Sequence, residues 1–279
     1  MTFTGGAVVA GVAGWPINHS KSPQIHNFWL RKHEIDGVYA PFAVHPERAY
    51  DAFRSIPLLG LAGMNVTLPH KEIAYTAMDK VDHMAQRLKA VNTIVVRRGK
   101  LHGANTDFFG FFESLREACP SWHANTGPAV VLGAGGAARA IVAGLQDAGA
   151  PEIFVINRTP QRVKALADEF GPPIRPVPWE NRAVALSNAN LLVNATSLGM
   201  RGQPPLDLPL YALPQFAVVY DIVYVPLETP LLAAARARGN VAVDGLGMLL
   251  HQARQGFRDW FGPDPEVNDA LRAYVLEAL

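Results

Sequence analysis

The chain has 279 residues, of which 49% are hydrophobic and 18% charged, and this balance excludes an intrinsically disordered protein. Its 25 lysines and arginines nearly match its 24 aspartates and glutamates, so no strong field favours nucleic acid or an anionic membrane. The one cysteine, Cys119, excludes an intrachain disulfide and a multi-cysteine zinc site and fits a reducing compartment.

The N-terminus lacks the basic region of a signal peptide, and no apolar run approaches the ~18 residues that a membrane-spanning helix needs. The nine histidines are scattered without paired spacing, which argues against a metal site. We therefore predict a soluble, cytoplasmic protein, monomeric or homodimeric, whose partner is a small molecule rather than nucleic acid or a membrane.

The first hundred residues alternate predicted strands and helices. Ser22 is predicted as the N-cap of the first helix, because Pro23 suits the first helical position. The predicted elements, in chain order, are a strand at 7–14, a helix at 22–32, a strand at 38–44, a helix at 46–55, a strand from 63, and a hairpin at 90–107 that turns at 98–100.

The stretch GMNVTLPHKE, residues 63–72, alternates apolar and polar side chains, which predicts a strand with one buried face. Asn65 and Thr67 share the polar face of that strand. Pro69 ends strand pairing and favours a turn that brings Lys71 back over the same face. These polar residues are expected to form one wall of a small polar pocket.

The second half of the chain has a different pattern of predicted elements. AVVLGAGGAARAIVAGLQDAGA, residues 129–150, predicts a strand, a glycine turn and a helix. Further strands are predicted at 152–159, 190–200, 216–224 and 240–247, with helices between them, and two amphipathic helices end the chain. Strands that alternate with helices imply right-handed βαβ units and a parallel sheet.

Gly133, Gly135 and Ala138 fit the pattern G-x-G-x-x-A between the predicted strand and helix. This pattern allows a tight turn, a close approach of the backbone to a pyrophosphate, and close packing of helix on strand. The next strand ends in Asn157-Arg158-Thr159 rather than in a carboxylate that would bind a ribose 2′-hydroxyl. Arginines here, with Arg162, can pair with a 2′-phosphate, so NADP is predicted over NAD. The alternatives are a structural glycine turn and solvated arginines.

A series of motifs resembles those of the shikimate dehydrogenases. They span nearly the whole chain in the family's order: HSKSP, NVTLPHK, AVNT, NTD, GAGGAARA, NRT, NATSLGM, DIVYVPLETPLL and DGLGMLLHQA. The resemblance implies the reversible, NADPH-dependent reduction of 3-dehydroshikimate to shikimate, a step of the shikimate pathway of aromatic amino-acid biosynthesis.

The resemblance also implies roles for individual residues. In the substrate half, Ser20 and Ser22 would hold the substrate carboxylate, Lys71 and Asp107 would form the catalytic pair at the substrate, and ring hydroxyls or the carboxylate would be bound by Asn65, Thr67, Asn92 and Gln252, with Tyr224 nearby. In the cofactor half, the pyrophosphate would face the backbone of Gly133, Ala134, Gly135, Gly136 and Ala137. The adenosine phosphate would be bound by Asn157, Arg158, Thr159 and Arg162. The nicotinamide would lie near Ile222, Gly245 and Met248.

The chemistry supports the catalytic pair independently of the resemblance. Reduction of a ketone by hydride leaves an alkoxide that must receive a proton, so a cation that donates is needed beside the carbonyl. A lysine such as Lys71 supplies that proton, and a neighbouring carboxylate such as Asp107 can orient it and tune its charge.

Each site residue also has a purely structural interpretation. Ser22 and Asp107 can be helix N-caps, and Lys71 a solvated residue of a first helical turn. Asn92 can be a turn asparagine, Tyr224 a core aromatic and Gln252 a rim residue of a packed helix. Only their occurrence together with the dinucleotide turn favours the functional interpretation.

Two residues depart from the family pattern. Trp15 stands where a smaller residue is expected before the proline, and Phe108 follows the NTD aspartate where glycine often stands. Both are bulky and are expected near the pocket, so they bear on the range of substrates.

These observations predict an α/β protein of two domains. Residues 1–107 with 246–279 are expected to form the substrate domain, to which the C-terminal helices return, and residues 108–245 an NADP-binding Rossmann domain with a doubly wound parallel sheet. Three other functions remain open. They are a quinate or dual quinate/shikimate dehydrogenase, a methylenetetrahydrofolate dehydrogenase, and a non-catalytic nucleotide-sensing protein that kept the fold.

Overall fold

The computed structural model describes residues 3–279, which divide into two compact units. One unit comprises the chain up to Asp107 together with Leu250–Leu279, and the other is Phe108–Leu249. The chain returns to the first unit at Leu250, slightly later than the expected boundary at 245/246. The reason is that the first turn of the last long helix packs within the second unit, where Met248 lies against the apolar core and a Cβ on Gly247 would stand 2.2 Å from Ser114 Oγ.

The first unit contains a six-stranded mixed sheet in the order β2-β1-β3-β5-β6-β4. Strands β1, β2 and β3 are parallel to one another, while β5 is antiparallel to both β3 and β6. Its elements are β1 (Val8–Gly14), α1 (Ser22–Lys32), β2 (Gly37–Ala43), α2 (Ala49–Arg54), β3 (Gly63–Val66), α3 (Lys71–Ala77), β4 (Lys80–Val81), α4 (His83–Leu88), β5 (Thr93–Arg97) and β6 (Lys100–Ala104).

Strand β3 differs from its prediction. All four of its residues are buried, because β3 lies inside the sheet between β1 and β5 and is covered on both faces. Met64 and Val66 face one apolar cluster, while on the other side the Trp260 indole would stand 2.1 Å from a Cβ on Gly63. The strand ends at Val66, so Thr67 lies beyond it rather than on a solvated face.

Helix α1 also begins differently. Ser22 is its first residue, and the N-cap position belongs to Lys21, whose side chain makes no capping hydrogen bond. The predicted capping role of Ser22 is therefore wrong. The predicted helix at 46–55 is a 3-10 turn at Pro46–Arg48 followed by α2, and the short strand β4 was not predicted.

The second unit contains a six-stranded parallel sheet in the order β12-β11-β10-β7-β8-β9. The chain winds outward from β7 through β8 and β9, then returns to β10 and winds the other way. The elements are α5 (Asp107–Ala118), β7 (Ala129–Leu132), α6 (Gly136–Asp147), β8 (Ile153–Ile156), α7 (Pro160–Phe170), β9 (Ile174–Val177), β10 (Leu191–Asn194), β11 (Val218–Asp221), α8 (Pro230–Ala237) and β12 (Ala242–Val243).

This sheet confirms the predicted doubly wound Rossmann topology, whose ligand crevice lies at the carboxyl ends of the strands where the winding reverses. The reversal falls between β7 and β10. Both strands are fully buried, because separate apolar clusters cover the two faces of the sheet. The predicted two-domain α/β class is confirmed, and only the edge strand β9 was not predicted.

Helices α9 (Gly245–Phe261) and α10 (Asp269–Leu276) end the chain. From Leu250 onward they belong to the first unit, where the Trp29 indole donates to the Glu266 carbonyl oxygen at 3.0 Å. Among residues 3–279, no helix combines the length and apolar character needed to cross a membrane.

Candidate active site

Lys71 and Asp107 form a close ion pair in the first unit. Lys71 Nζ lies 2.6 Å from Asp107 Oδ2, and the two side chains are only 23% and 8% exposed. Each residue opens a helix, α3 and α5 respectively. A charged pair with so little exposure loses much of its hydration, which is acceptable only when both partners are well bonded. The alternative interpretation, that Lys71 is merely a solvated residue in the first turn of a helix, is therefore wrong.

The start of helix α3 is fixed from both sides. The buried ring of His70 lies with Nε2 2.8 Å from the Val44 carbonyl oxygen, and the His70 backbone N–H donates to the Thr67 carbonyl oxygen at 3.0 Å. The Lys71 carbonyl oxygen accepts a hydrogen bond from the Val91 N–H at 2.8 Å. These bonds hold the backbone from which the Lys71 side chain reaches Asp107.

Asn92 connects Asp107 to helix α9. Its Nδ2 donates to Asp107 Oδ1 at 2.7 Å and to Gln252 Oε1 at 3.4 Å. Its Oδ1 accepts from the Thr106 backbone N–H and from Thr93 Oγ1, both at 3.0 Å. Both amide hydrogens of Asn92 are thus used inside the protein, and both oxygens of Asp107 are occupied by donors.

Thr93 and Thr106 belong to this network and were not predicted. Each lies inside a motif, AVNT or NTD, from which only the asparagine or the aspartate was singled out. Both are buried, and Thr106 Oγ1 also donates to the Gln252 carbonyl oxygen at 3.0 Å. Their positions inside those two motifs were the sequence feature that could have identified them as residues of the site.

The other predicted substrate residues lie in the same unit. Asn65 is buried and donates to Thr93 Oγ1 at 3.1 Å, which joins it to the Lys71–Asp107 network. Ser20 and Ser22 lie together where α1 begins, with the Ser22 N–H 3.4 Å from Ser20 Oγ. Thr67 is half-buried in the turn after β3, and among residues 3–279 no hydrogen bond joins its side chain to either group.

The glycine turn lies in the second unit at the winding reversal. Gly133 has a φ of +115°, and a Cβ there would stand 2.8 Å from the Ala195 carbonyl oxygen, so glycine is required. Gly135 is the N-cap of α6, and the small Ala138 is fully buried. Around Gly135 and Gly136 no atom from elsewhere in the fold lies within 4 Å of an added Cβ, so a pyrophosphate can approach the backbone. Ala134 and Ala137 flank this open surface.

The turn between β8 and α7 carries the residues predicted for the adenosine phosphate. Arg158 and Arg162 are exposed, and among the described residues neither forms an ion pair. Asn157 Nδ2 donates to the Thr159 carbonyl oxygen at 3.2 Å, which orders the turn. Two unpaired guanidinium groups without a neighbouring carboxylate at the strand end fit a phosphate group.

The residues predicted near the nicotinamide also lie in the second unit. Ile222 follows β11, and a Cβ on Gly245 would stand 2.0 Å from the Ile222 carbonyl oxygen, so only glycine allows α9 to begin there. Tyr224, which was predicted near the substrate, is half-buried in this same unit, and burial raises the pKa of its phenol. Met248 lies on the first turns of α9 against the apolar core.

Asp221 is fully buried at the end of β11 and holds the loops around this region. Its Oδ1 accepts from Asn194 Nδ2 at 2.9 Å and from the Val223 N–H at 3.0 Å, and its Oδ2 accepts from Thr229 Oγ1 at 2.8 Å. Burial raises the pKa of this carboxyl to about 6, although these hydrogen bonds oppose the rise.

The raised pKa of Asp221 predicts a specific pH dependence of stability. The native state holds its proton more tightly than the unfolded chain, so this carboxyl lowers stability as the pH rises from 3.8 to about 6. The full effect is at most about 3 kcal/mol, since one pKa unit corresponds to about 1.4 kcal/mol. We expect the change in unfolding free energy caused by Asp221→Asn to be more favourable at pH 8 than at pH 5 when urea unfolding is measured. An equal effect at both pH values would contradict this.

The sequence did not predict the contacts of Trp15 and Phe108, the two bulky residues that depart from the family pattern. Phe108 is half-buried and packs within the second unit, where a Cβ on Gly144 would stand 2.0 Å from its ring. Trp15 is 45% exposed, with its ring edge-on to His45 at 5.2 Å between centroids.

Comparison with known proteins places these features in context. Residues 12–94 match the family model described as the shikimate dehydrogenase substrate binding domain, and residues 117–199 match that described as shikimate / quinate 5-dehydrogenase. A relative from Paramagnetospirillum magneticum, named shikimate dehydrogenase (NADP(+)), is 57% identical over 275 residues, which is 98% of this chain and 100% of the relative. The protein of that name from Rhodospirillum rubrum is 58% identical over 279 residues, with 98% and 99% covered.

A solved structure agrees with this similarity. The crystal structure of shikimate 5-dehydrogenase from Thermus thermophilus, in complex with NADP(H) and shikimate, matches with a TM-score of 0.86 at 39% identity. The match covers 98% of this chain and 100% of that chain.

Proposed function

The chain belongs to the shikimate dehydrogenase family, and on that premise we propose that it catalyses the reversible, NADPH-dependent reduction of 3-dehydroshikimate to shikimate. The observation that carries the proposal is the Lys71–Asp107 pair, a proton donor held at 2.6 Å by a buried carboxylate. The relatives that are 57% and 58% identical are named shikimate dehydrogenase (NADP(+)).

The first unit binds the substrate in this proposal. Lys71 protonates the oxygen as the ketone is reduced and removes the proton in the reverse direction, while Asp107 keeps the ammonium group oriented. Ser20 and Ser22 bind the carboxylate, and Asn65, Thr67 and Gln252 bind the ring hydroxyls. Asn92 already donates both amide hydrogens, so its main contribution is to hold Asp107 and Gln252.

The second unit, residues 108–249, binds NADP in this proposal. When bound, NADPH supplies the hydride that reduces the ketone carbon. The backbone of Gly133–Ala137 faces the pyrophosphate, and Asn157, Arg158, Thr159 and Arg162 bind the 2′-phosphate. Ile222, Gly245 and Met248 contact the nicotinamide.

The proposal is tested by reduction of NADP⁺ and of NAD⁺ in the presence of shikimate or quinate. We expect NADPH to form with shikimate, and the preference for NADP⁺ to follow from the unpaired arginines. Absence of shikimate-dependent reduction of either cofactor at any pH would contradict the proposal.

Cofactor preference gives a more specific prediction. Arg158→Ala removes one charge-assisted hydrogen bond to the 2′-phosphate, so KM for NADP⁺ should rise by about 10- to 100-fold, the equivalent of about 1.5–3 kcal/mol. KM for NAD⁺ should change little, because NAD⁺ carries no such phosphate. Arg175→Ala, which removes an exposed arginine of β9 in the same unit, is the control. Equal rises of both KM values would contradict the assignment.

A second candidate is activity on quinate, which the description of the matched family model includes. The same assay with quinate tests it. The two remaining alternatives are a methylenetetrahydrofolate dehydrogenase and a nucleotide-sensing protein. The relatives do not support either one, because they match over nearly their whole length and are named shikimate dehydrogenase (NADP(+)).

A further inference from the structure

The hydroxyl of Tyr39 lies beside two residues that the proposed function assigns to the substrate. Tyr39 is a residue of β2, is only 2% exposed, and donates to Asn65 Oδ1 at 2.6 Å. Burial raises the pKa of this phenol well above its ordinary value, and a hydrogen bond with the Ser22 side chain opposes the rise. One buried phenol thus contacts Asn65 and Ser22, although neither lies in its own strand.

The amide of Asn65 can face in only one direction. Its Nδ2 lies 3.2 Å from the Asn92 carbonyl oxygen and 3.1 Å from Thr93 Oγ1. A carbonyl oxygen can only accept a hydrogen bond, so the NH₂ group, and not Oδ1, must face Asn92. Both amide hydrogens are therefore donated inside the protein. Neither ring nitrogen of the adjacent His26 makes a hydrogen bond within residues 3–279, so what Asn65 can still offer a ligand is the lone pair of Oδ1 that the Tyr39 hydroxyl does not use.

The position of the Tyr39 ring is set by packing. The ring is stacked on His26 with centroids 4.0 Å apart and planes within 8°, and Trp260 packs against it at 5.9 Å. His26 is fully buried. Burial lowers the pKa of His26 to about 3, although the nearby Asn65 side chain opposes the fall, so the ring stays neutral near pH 7. The phenol therefore has a fixed, uncharged support.

We propose that Tyr39 is a positioning residue for substrate binding: its hydroxyl holds Asn65 Oδ1 so that this oxygen accepts a hydrogen bond from a ring hydroxyl of the substrate. This inference rests on the proposed function, which places Asn65 at the ligand. An oxygen that can only accept favours a ligand group that donates, such as an alcohol, and disfavours a carbonyl or carboxylate at the same place. This role gives a reason for the hydrogen bond from the buried Tyr39 hydroxyl in β2 to Asn65 in β3.

Tyr39→Phe tests the inference, because it removes the hydroxyl and keeps the ring stacked on His26. We expect KM for shikimate to rise about tenfold, the usual worth of one hydrogen bond, while KM for NADP⁺ and kcat change less than about threefold. Tyr274→Phe is the matched control, since that tyrosine lies in α10 of the same unit and packs against Phe28 and Arg31. Its kinetic constants should equal those of the wild type.

A double-mutant cycle separates positioning from a structural role. In an Asn65→Ser background, Tyr39→Phe should raise KM for shikimate no further, because its partner is absent. Independent, additive effects on KM would overturn the inference, as would a Tyr39→Phe protein with lower thermal stability and an unchanged KM. A wild type that is inactive with shikimate would contradict the proposed function itself, whereas an active wild type with an unaffected Tyr39→Phe variant contradicts this inference alone.

Discussion

Lys71→Ala is expected to lower kcat for shikimate oxidation by about 10²- to 10⁴-fold, the usual contribution of a positioned acid–base group. The reason is that Lys71 Nζ is the cation 2.6 Å from Asp107 and is proposed to exchange the proton with the substrate oxygen. Shikimate should still bind, because the serines and amides of the first unit remain. Steady-state kinetics and calorimetric titration with shikimate measure the two effects separately.

The control for this variant is Lys80→Ala, which removes an exposed lysine from β4 of the same unit. It should leave kcat unchanged. A Lys71→Ala protein that binds shikimate and turns it over at close to the wild-type rate would contradict the role assigned to Lys71.

Asp107→Asn is expected to be nearly as harmful, lowering kcat/KM by about 10²-fold or more through loss of the acid–base arrangement. Both Asp107 oxygens accept from donors, Lys71 Nζ on one side and Asn92 Nδ2 on the other. An amide has one oxygen, so its NH₂ group must face one of those donors. The variant therefore either displaces the ammonium group or breaks the bond that holds Asn92.

The two catalytic substitutions should not be additive, because the residues act as one unit. A Lys71→Ala/Asp107→Asn double variant is expected to have about the activity of Lys71→Ala alone. Asp51→Asn, on the exposed side of α2, is the control for the aspartate substitution. Losses that multiply in the double variant would show that Asp107 acts on catalysis by a route other than Lys71.

Much of the fold could be predicted because its signals are local. The requirement for glycine at Gly133 arises from its own φ of +115°, and the strand and helix around it follow from the hydrophobic pattern. The parallel order of the second sheet follows from alternating strands and helices. The edge strand β9 was missed because Ile174–Val177 contains a proline and two exposed residues, so it lacks a strand pattern.

What could not be predicted depends on which elements lie beside each other. The alternation in GMNVTLPHKE is that of a half-exposed strand, but β3 lies between β1 and β5, and the side chains of Tyr39 and Thr93 contact Asn65. Tyr39 has the sequence pattern of an ordinary core aromatic, since nothing near it in the chain points to Asn65. Phe108 packs against Gly144, a position fixed by the second unit's own packing.

The most direct test follows a deuteride to 3-dehydroshikimate from NADPH that carries deuterium at both C4 positions of the nicotinamide, for the wild type and Lys71→Ala side by side. We expect both proteins to form shikimate with deuterium on the former carbonyl carbon. The Lys71→Ala protein should do so about 10²- to 10⁴-fold more slowly, since only the proton donor is lost. Unlabelled product from the wild type, or equal rates for the two proteins, would contradict this expectation.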